Sequence, residues 1–244
     1  MSALGSDAWR PGEHSQHESS HSSPELDAQK KTLVASERDE ATRAAWREQE
    51  RQLESEHLVF VDECGSNIAL TRLYGRAPRG QRATGSVPRN YGANMTLMAS
   101  LSLQGMGEAL VWDGSADAAA FESYIEQVLA PSLRRGQIVV MDNLSIHQGE
   151  RVRQAIQAKG CRLLFLPAYS PDFSPIEGAF SKLKASLRQV AARTREALFE
   201  AIAQALPTIT QEDALGWFTH CGYLPPQAKQ AINTATGSSL AQSF

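Results

Sequence analysis

The sequence of 244 residues contains no run of about 18 apolar residues and only three cysteines. The first absence predicts that no helix of the chain spans a membrane. The N-terminal segment also lacks the apolar stretch of a secretory signal. Cys64, Cys161 and Cys221 lie far apart, which suits neither a zinc cluster nor a disulfide framework and favours a reducing cytoplasm. A small-molecule enzyme, a binding module and a nucleic-acid enzyme all agree with these absences.

Acidic residues are missing from two stretches that carry several bases, although the whole chain has a net charge of −3. Such local positive charge attracts polyanions even on a mildly acidic chain. The alternative is that both stretches are ordinary solvated faces. The candidate phosphate contacts are Arg72, Arg76, Arg79, Arg82 and Arg89 in residues 64–107, and Lys182, Lys184 and Arg188 in residues 178–195.

The order of the predicted elements is typical of an α/β domain with a mixed sheet. Continuous apolar runs predict buried strands at residues 58–62, 137–142 and 161–166, and alternation predicts a hairpin of residues 94–103 and 108–112. Residues 64–93 are rich in Gly, Arg and Pro and are expected to be irregular. Helices are predicted at residues 118–129, 150–159, 175–189, 194–206 and 211–221.

Composition divides the chain into four segments. Residues 1–28 are rich in Ser, His, Glu and Gly and are expected to be disordered. Residues 29–56 are expected to form a charged helical lead-in that is exposed and has no core of its own. The compact domain is expected to cover residues 57–224, followed by a polar tail at residues 225–244.

Two of the predicted buried strands end in an aspartate, Asp62 and Asp142. In α/β sheets, sites collect at the carboxyl ends of parallel strands. Two adjacent carboxylates repel each other unless a cation lies between them, and their oxygens suit Mg²⁺ or Mn²⁺. Glu177 is a third candidate, because it lies at a predicted helix start on a face that also carries Lys184 and Arg188.

Each of these residues also has a purely structural interpretation. An aspartate at the end of a strand is often a turn former or a helix cap. Ser174 and Glu177 have the spacing of a capping box. His147 alone is expected to be a surface or loop histidine, and Glu63 is expected to face away from Asp62 because neighbours on a strand alternate. Spacing by itself therefore leaves the metal site open.

Several motifs resemble the DDE-type transposases of the mariner superfamily, and most of all their bacterial insertion-sequence branch, IS six-thirty. The resemblance covers roughly residues 30–224, and 34 residues separate Asp142 from Glu177. Together, in this order and spacing, the motifs are specific. They are Leu58-Val-Phe-Val-Asp-Glu63, Met141-Asp-Asn-Leu-Ser-Ile-His147, Leu166-Pro-Ala-Tyr-Ser-Pro-Asp-Phe-Ser-Pro-Ile-Glu177, Phe180-Ser-Lys-Leu-Lys184, Arg193-Thr and Cys221-Gly-Tyr223.

The resemblance implies an RNase H-like fold, a mixed sheet flanked by helices, for residues 57–224. It also implies that Asp62, Asp142 and Glu177 hold two Mg²⁺ or Mn²⁺ ions. One ion would activate the attacking water or 3′-hydroxyl, and the other would stabilise the leaving oxygen. Asn143 and His147 are candidates for supporting these ligands. The implied partners are the terminal inverted repeats of a transposon and a TA-containing target, bound by a homodimer in the bacterial cytoplasm, on the nucleoid.

Two departures from the family pattern qualify these expectations. Relatives usually carry a helix-turn-helix region before the catalytic domain, and residues 1–28 do not resemble it. We hypothesise the downstream half of a split or decayed transposase, with an upstream polypeptide reading the DNA. Ser174 also stands where many relatives have Asn. The alternatives are a catalytically idle fragment that binds DNA or inhibits assembly, and a resolvase-like nuclease.

Overall fold

A five-stranded mixed sheet lies at the centre of residues 35–225, the part of the chain that the computed structural model describes. The strands are β1 (Leu58–Ser66), β2 (Met95–Ser102), β3 (Gly105–Asp113), β4 (Ile138–Met141) and β5 (Arg162–Phe165), in the spatial order β3-β2-β1-β4-β5. The hairpin β2–β3 pairs antiparallel with β1, whereas β4 and β5 run parallel to β1. The predicted α/β class with a mixed sheet is confirmed.

The strand β1 extends four residues beyond its predicted end. Residues 63–66 stay in the sheet because they pair with β2, from Glu63 opposite Met98 to Ser66 opposite Met95. The polar character of these residues hid this continuation in the sequence. Asp62 therefore lies inside the strand, at the point where its parallel neighbour β4 ends.

The predicted helices are all present among residues 35–225. They are α1 (Glu40–Gln52), α2 (Ala118–Tyr124), α3 (Ala130–Ser132), α4 (Glu150–Ala158), α5 (Ile176–Val190), α6 (Arg195–Ala205) and α7 (Gln211–Cys221). A π-helical turn at Ile125–Leu129 joins α2 to α3, so the predicted helix continues three residues further. Asp117 caps α2 by accepting a hydrogen bond from the Ala120 amide at 2.8 Å.

Helices cover both faces of the sheet. Leu58 and Phe60 of β1 belong to a core that includes side chains of α1, α5, α6 and α7. Val59 and Val61 belong to a second core with α2 and α4. Alternation along the strand therefore directs Asp62 to the face of α5 and Glu63 to the face of α2.

The helix α1 corrects one expectation. Residues 29–56 were expected to be exposed without a core of their own, but Trp46 is only 5% exposed and packs into the main core. Its indole N–H donates to the Tyr223 hydroxyl at 3.2 Å, and the guanidinium of Arg43 lies 4.1 Å from the ring centre of Phe173. Sparse apolar positions were misleading because a single tryptophan can bury a large surface.

Three expectations concern the remaining parts of the chain. Residues 64–93 were predicted to be irregular; residues 64–66 belong to β1, whereas the segment 67–94 is irregular and mostly exposed. Residues 1–28, which were expected to be disordered, lie outside the described residues, as does the polar tail beyond residue 225. In residues 35–225 no helix has the length and apolar character needed to cross a membrane.

Candidate active site

Three carboxylates line one cleft at the edge of the sheet where β4 and β5 end. Because Val61 of β1 pairs with Met141 of β4, Asp62 and Asp142 occupy neighbouring positions on adjacent strands. Glu177 enters the same cleft from the first turn of α5. The structure thus brings together the three acids that the sequence singled out.

Crowding of negative charge has a clear effect on Asp62. Burial raises the pKa of this carboxyl group to about 7, and the negative charges of Asp142, Glu177 and Glu63 raise it as well. The Glu63 amide opposes this rise by donating to Asp62 Oδ1 at 2.7 Å. The cleft is therefore a place where a bound cation would relieve electrostatic repulsion.

The chemistry of this donor set fits a hard divalent cation. Carboxylate oxygens are preferred ligands of Mg²⁺ and Mn²⁺, and among the described residues neither a cysteine nor a histidine lines the cleft. Within residues 35–225, no three His, Cys, Asp or Glu side chains already stand as a closed ligand set around one point. The three carboxylates therefore fit a divalent cation by their chemistry and by lining the same cleft.

Glu177 does not form the helix-capping box for which its spacing from Ser174 is suited. The helix α5 follows Pro175, and no side chain caps its N-terminus, so the capping box of Ser174 and Glu177 does not form. The Ser174 carbonyl instead accepts a hydrogen bond from the Glu177 amide at 3.2 Å. The exposed carboxylate of Glu177 is left to face the cleft.

His147 lies fully buried behind Asp142, which corrects the expectation of a surface or loop histidine. Its Nδ1 lies 2.6 Å from Asp142 Oδ1, and its Nε2 lies 3.0 and 3.1 Å from the two carboxylate oxygens of Glu63. Its ring packs on Phe121 with a centroid distance of 4.3 Å. Burial alone would lower the pKa of His147, but hydrogen bonds with Asp142 and Glu63 raise it to about 10.

Glu63 is the site residue that sequence reasoning missed. Strand alternation correctly predicted that it faces away from Asp62, onto the sheet face of α2. Alternation could not show that the turn Ser145–His147 brings His147 to the Glu63 carboxylate. A chain of contacts thus runs from Glu63 through His147 to Asp142.

The other predicted site residues lie in different surroundings. Asn143 lines the cleft, but its side-chain oxygen accepts from Gln148 Nε2 at 2.7 Å. Five predicted arginines, Arg72, Arg76, Arg79, Arg82 and Arg89, are exposed in the irregular segment 67–94.

The three predicted bases of α5 are partly enclosed. Lys182 donates to Asp213 of α7 and, at 3.1 Å, to the Thr208 carbonyl, so in this structure it holds α5 against α7. Lys184 and Arg188 are half-buried, and Lys184 lies beside the Cys64 thiol. All three bases are partly exposed, and their contact with phosphate stays a prediction.

Comparison with known proteins decides the family. A family profile described as DDE superfamily endonuclease matches residues 57–199, more than half of the chain. The chain belongs to the DDE superfamily of endonucleases. No curated protein matches the sequence of this endonuclease.

Solved structures of the Mos1 mariner transposase share the fold of this DDE endonuclease. The paired-end complex with the left transposon end has a TM-score of 0.62 and 18% identity, over 86% of this chain and 66% of that chain. The strand transfer complex has a TM-score of 0.61 and 19% identity, with the same coverage. A paired-end complex with Mg has a TM-score of 0.60 and 17% identity, over 87% of this chain and 67% of that chain. The chain thus spans about two thirds of those chains, and its predicted RNase H-like fold is confirmed.

Proposed function

We propose that this DDE endonuclease is the catalytic domain of a transposase that cuts DNA and transfers a strand by in-line attack on phosphorus. The observation that carries the proposal is the convergence of Asp62, Asp142 and Glu177 on one cleft. Further support comes from two Mos1 transposase structures, a paired-end complex with the left transposon end and a paired-end complex with Mg.

In this proposal Asp62, Asp142 and Glu177 hold two Mg²⁺ or Mn²⁺ ions. When bound, the ions supply charge neutralisation and a lowered pKa for the attacking water or 3′-hydroxyl. The protein itself contributes fixed positions for the reacting groups. His147 acts as a positioning residue, because its contacts with Asp142 and Glu63 hold the Asp142 carboxylate in one orientation.

The DNA would be held largely by the segment 67–94. Its five arginines are exposed and share the segment with no acidic residue. Phosphate contacts of this kind give affinity without reading sequence, and they make binding strongly dependent on salt. We further propose that the substrates are transposon inverted repeats and a TA-containing target, bound by a homodimer. Membership of the IS six-thirty branch completes this proposal.

Nicking of supercoiled plasmid in Mn²⁺ tests the proposal. The variant Asp142→Asn keeps the shape of the side chain and removes its charge. We expect it to lose on the order of a thousandfold in nicking rate, because metal ions contribute several kcal/mol to such reactions. Glu200→Gln is the matched control, since this exposed acid of α6 lies outside the cleft.

Three outcomes separate the candidate functions. Nicking by the unaltered chain and by Glu200→Gln, but not by Asp142→Asn, supports a working catalytic domain. Equal nicking by all three chains contradicts the assignment of the carboxylates. DNA binding without any nicking favours the idle fragment that partners or inhibits a full-length transposase.

A further inference from the structure

Tyr169 is a cleft residue for which packing gives no explanation. It lies between β5 and α5 and lines the cleft together with Asp62, Asp142 and Glu177. Its side chain is 57% exposed, although the next residue, Ser170, is buried. In the described part of the chain its ring has neither a hydrogen-bond partner nor a stacked aromatic neighbour. Tyr169 is therefore an exposed aromatic residue in the cleft that the carboxylates line.

The backbone of Tyr169 adopts a conformation that favours glycine. Its φ is +55°, in the left-handed region, where a bulky side chain is disfavoured. The other non-glycine residue of positive φ in residues 35–225 is Ala191, which ends α5, and helix ends often need this conformation. Tyr169 ends no helix. A conformational cost that packing does not offset is typical of functional positions.

The loop that carries Tyr169 is firmly anchored on its C-terminal side. The Tyr223 hydroxyl donates to the Phe173 carbonyl at 2.8 Å. Arg43 donates two hydrogen bonds to the carboxylate of Asp172, at 3.0 and 2.7 Å. These contacts tie the loop to α1 and to the end of α7. The Tyr169 ring is therefore presented from a defined backbone.

A second apolar side chain lines the same cleft. Leu144 follows Asp142 and Asn143 and is 51% exposed. Carboxylates that hold divalent ions would bind a phosphodiester, and the base attached to that phosphate would then lie within reach of these side chains. An aromatic ring stacks on any nucleobase, since every base has a π-face.

We propose that Tyr169 stacks on the nucleobase next to the phosphate that the carboxylate cleft binds, with Leu144 as an apolar contact on the strand. This inference rests on the proposed function, because it takes DNA as the ligand of the cleft. It adds a substrate contact that is independent of sequence. It also explains why tyrosine stands at a position whose backbone suits glycine.

The test compares two single-stranded oligonucleotides of about 16 thymidines, one with abasic residues at its centre. Binding is followed by fluorescence anisotropy in Ca²⁺, a hard cation for carboxylate ligands. We expect the unaltered chain to bind the complete oligonucleotide at least about fivefold more tightly than the abasic one. Tyr169→Phe should keep this preference. Tyr169→Gly should abolish it while keeping the fold, since glycine accepts the positive φ.

Phe199→Ala is the control for loss of an exposed aromatic ring, because Phe199 is 47% exposed on α6, outside the cleft. It should leave the preference unchanged. A preference that survives in Tyr169→Gly, or that the unaltered chain lacks, overturns the stacking proposal. Plasmid nicking by the same preparations separates the two claims. Nicking without base preference contradicts the contact alone, whereas base preference without nicking supports the contact and contradicts the catalytic function.

Discussion

Replacing Asp62 by asparagine should stabilise the metal-free protein. The pKa of Asp62 rises from its ordinary value of 3.8 to about 7, mainly through burial and then through the neighbouring carboxylates. The folded state therefore binds more protons than the unfolded state between about pH 4 and pH 7, and stability falls as the pH rises through that window. Above about pH 7, this rise in the pKa of Asp62 corresponds to a loss of roughly 4 kcal/mol in the free energy of unfolding. Solvent screens the charge of this half-buried carboxylate, so the figure is an upper bound on the loss of stability.

The side chain of Asp62→Asn is uncharged, so it mimics the protonated carboxyl at every pH. Its oxygen can still accept the hydrogen bond from the Glu63 amide. Urea unfolding in a chelator should give nearly equal stabilities near pH 4 and a gain for the variant of a few kcal/mol near pH 8. Added Mn²⁺ should then stabilise the unaltered chain more than the variant. A variant that is no more stable than the unaltered chain at pH 8 would refute the electrostatic reasoning.

Three further predictions concern the supports of the site. Trp46→Ala should lower the free energy of unfolding by about 3–5 kcal/mol in urea titrations, and an effect below about 1 kcal/mol would contradict the packing of α1. Gly178→Ala should reduce both the melting temperature and the nicking rate, because the new Cβ would come within 2.5 Å of the Trp217 ring and shift the start of α5. Unchanged values of both would show that the indole moves aside without cost. Hydrogen bonds with Arg43 lower the pKa of Asp172, so the stabilisation from this ion pair is present above about pH 4 and is lost as the pH falls through the lowered pKa. The unaltered chain should therefore melt at a higher temperature than Asp172→Asn near neutral pH, and this difference should close on acidification.

Local patterns predicted the central part of the fold and of the site. Apolar runs identified β1 and β4, and strand pairing then places Asp62 beside Asp142 without further information. The helix period located α5 and made Glu177 the third candidate acid, and the family resemblance implies the same three residues. These features depend on short stretches of chain, which is why sequence alone sufficed.

Contacts between distant stretches could not be predicted in this way. Burial of Trp46 depends on Tyr223, which lies 177 residues further along the chain. The buried position of His147 depends on Glu63, at a separation of 84 residues. Positive φ at Tyr169 likewise leaves no signature in residue type. Tertiary packing, not local propensity, decides the burial of Trp46 and of His147.

Counting bound Mn²⁺ by electron paramagnetic resonance tests most directly whether the three carboxylates act together as metal ligands. We expect two ions per chain, and loss of at least one of them in Glu177→Gln, with Glu200→Gln as the control that keeps both. Removing one carboxylate from a shared site should weaken binding because the remaining oxygens no longer complete the ligand set. Failure of the unaltered chain to bind Mn²⁺, or undiminished binding by Glu177→Gln, would contradict the central claim.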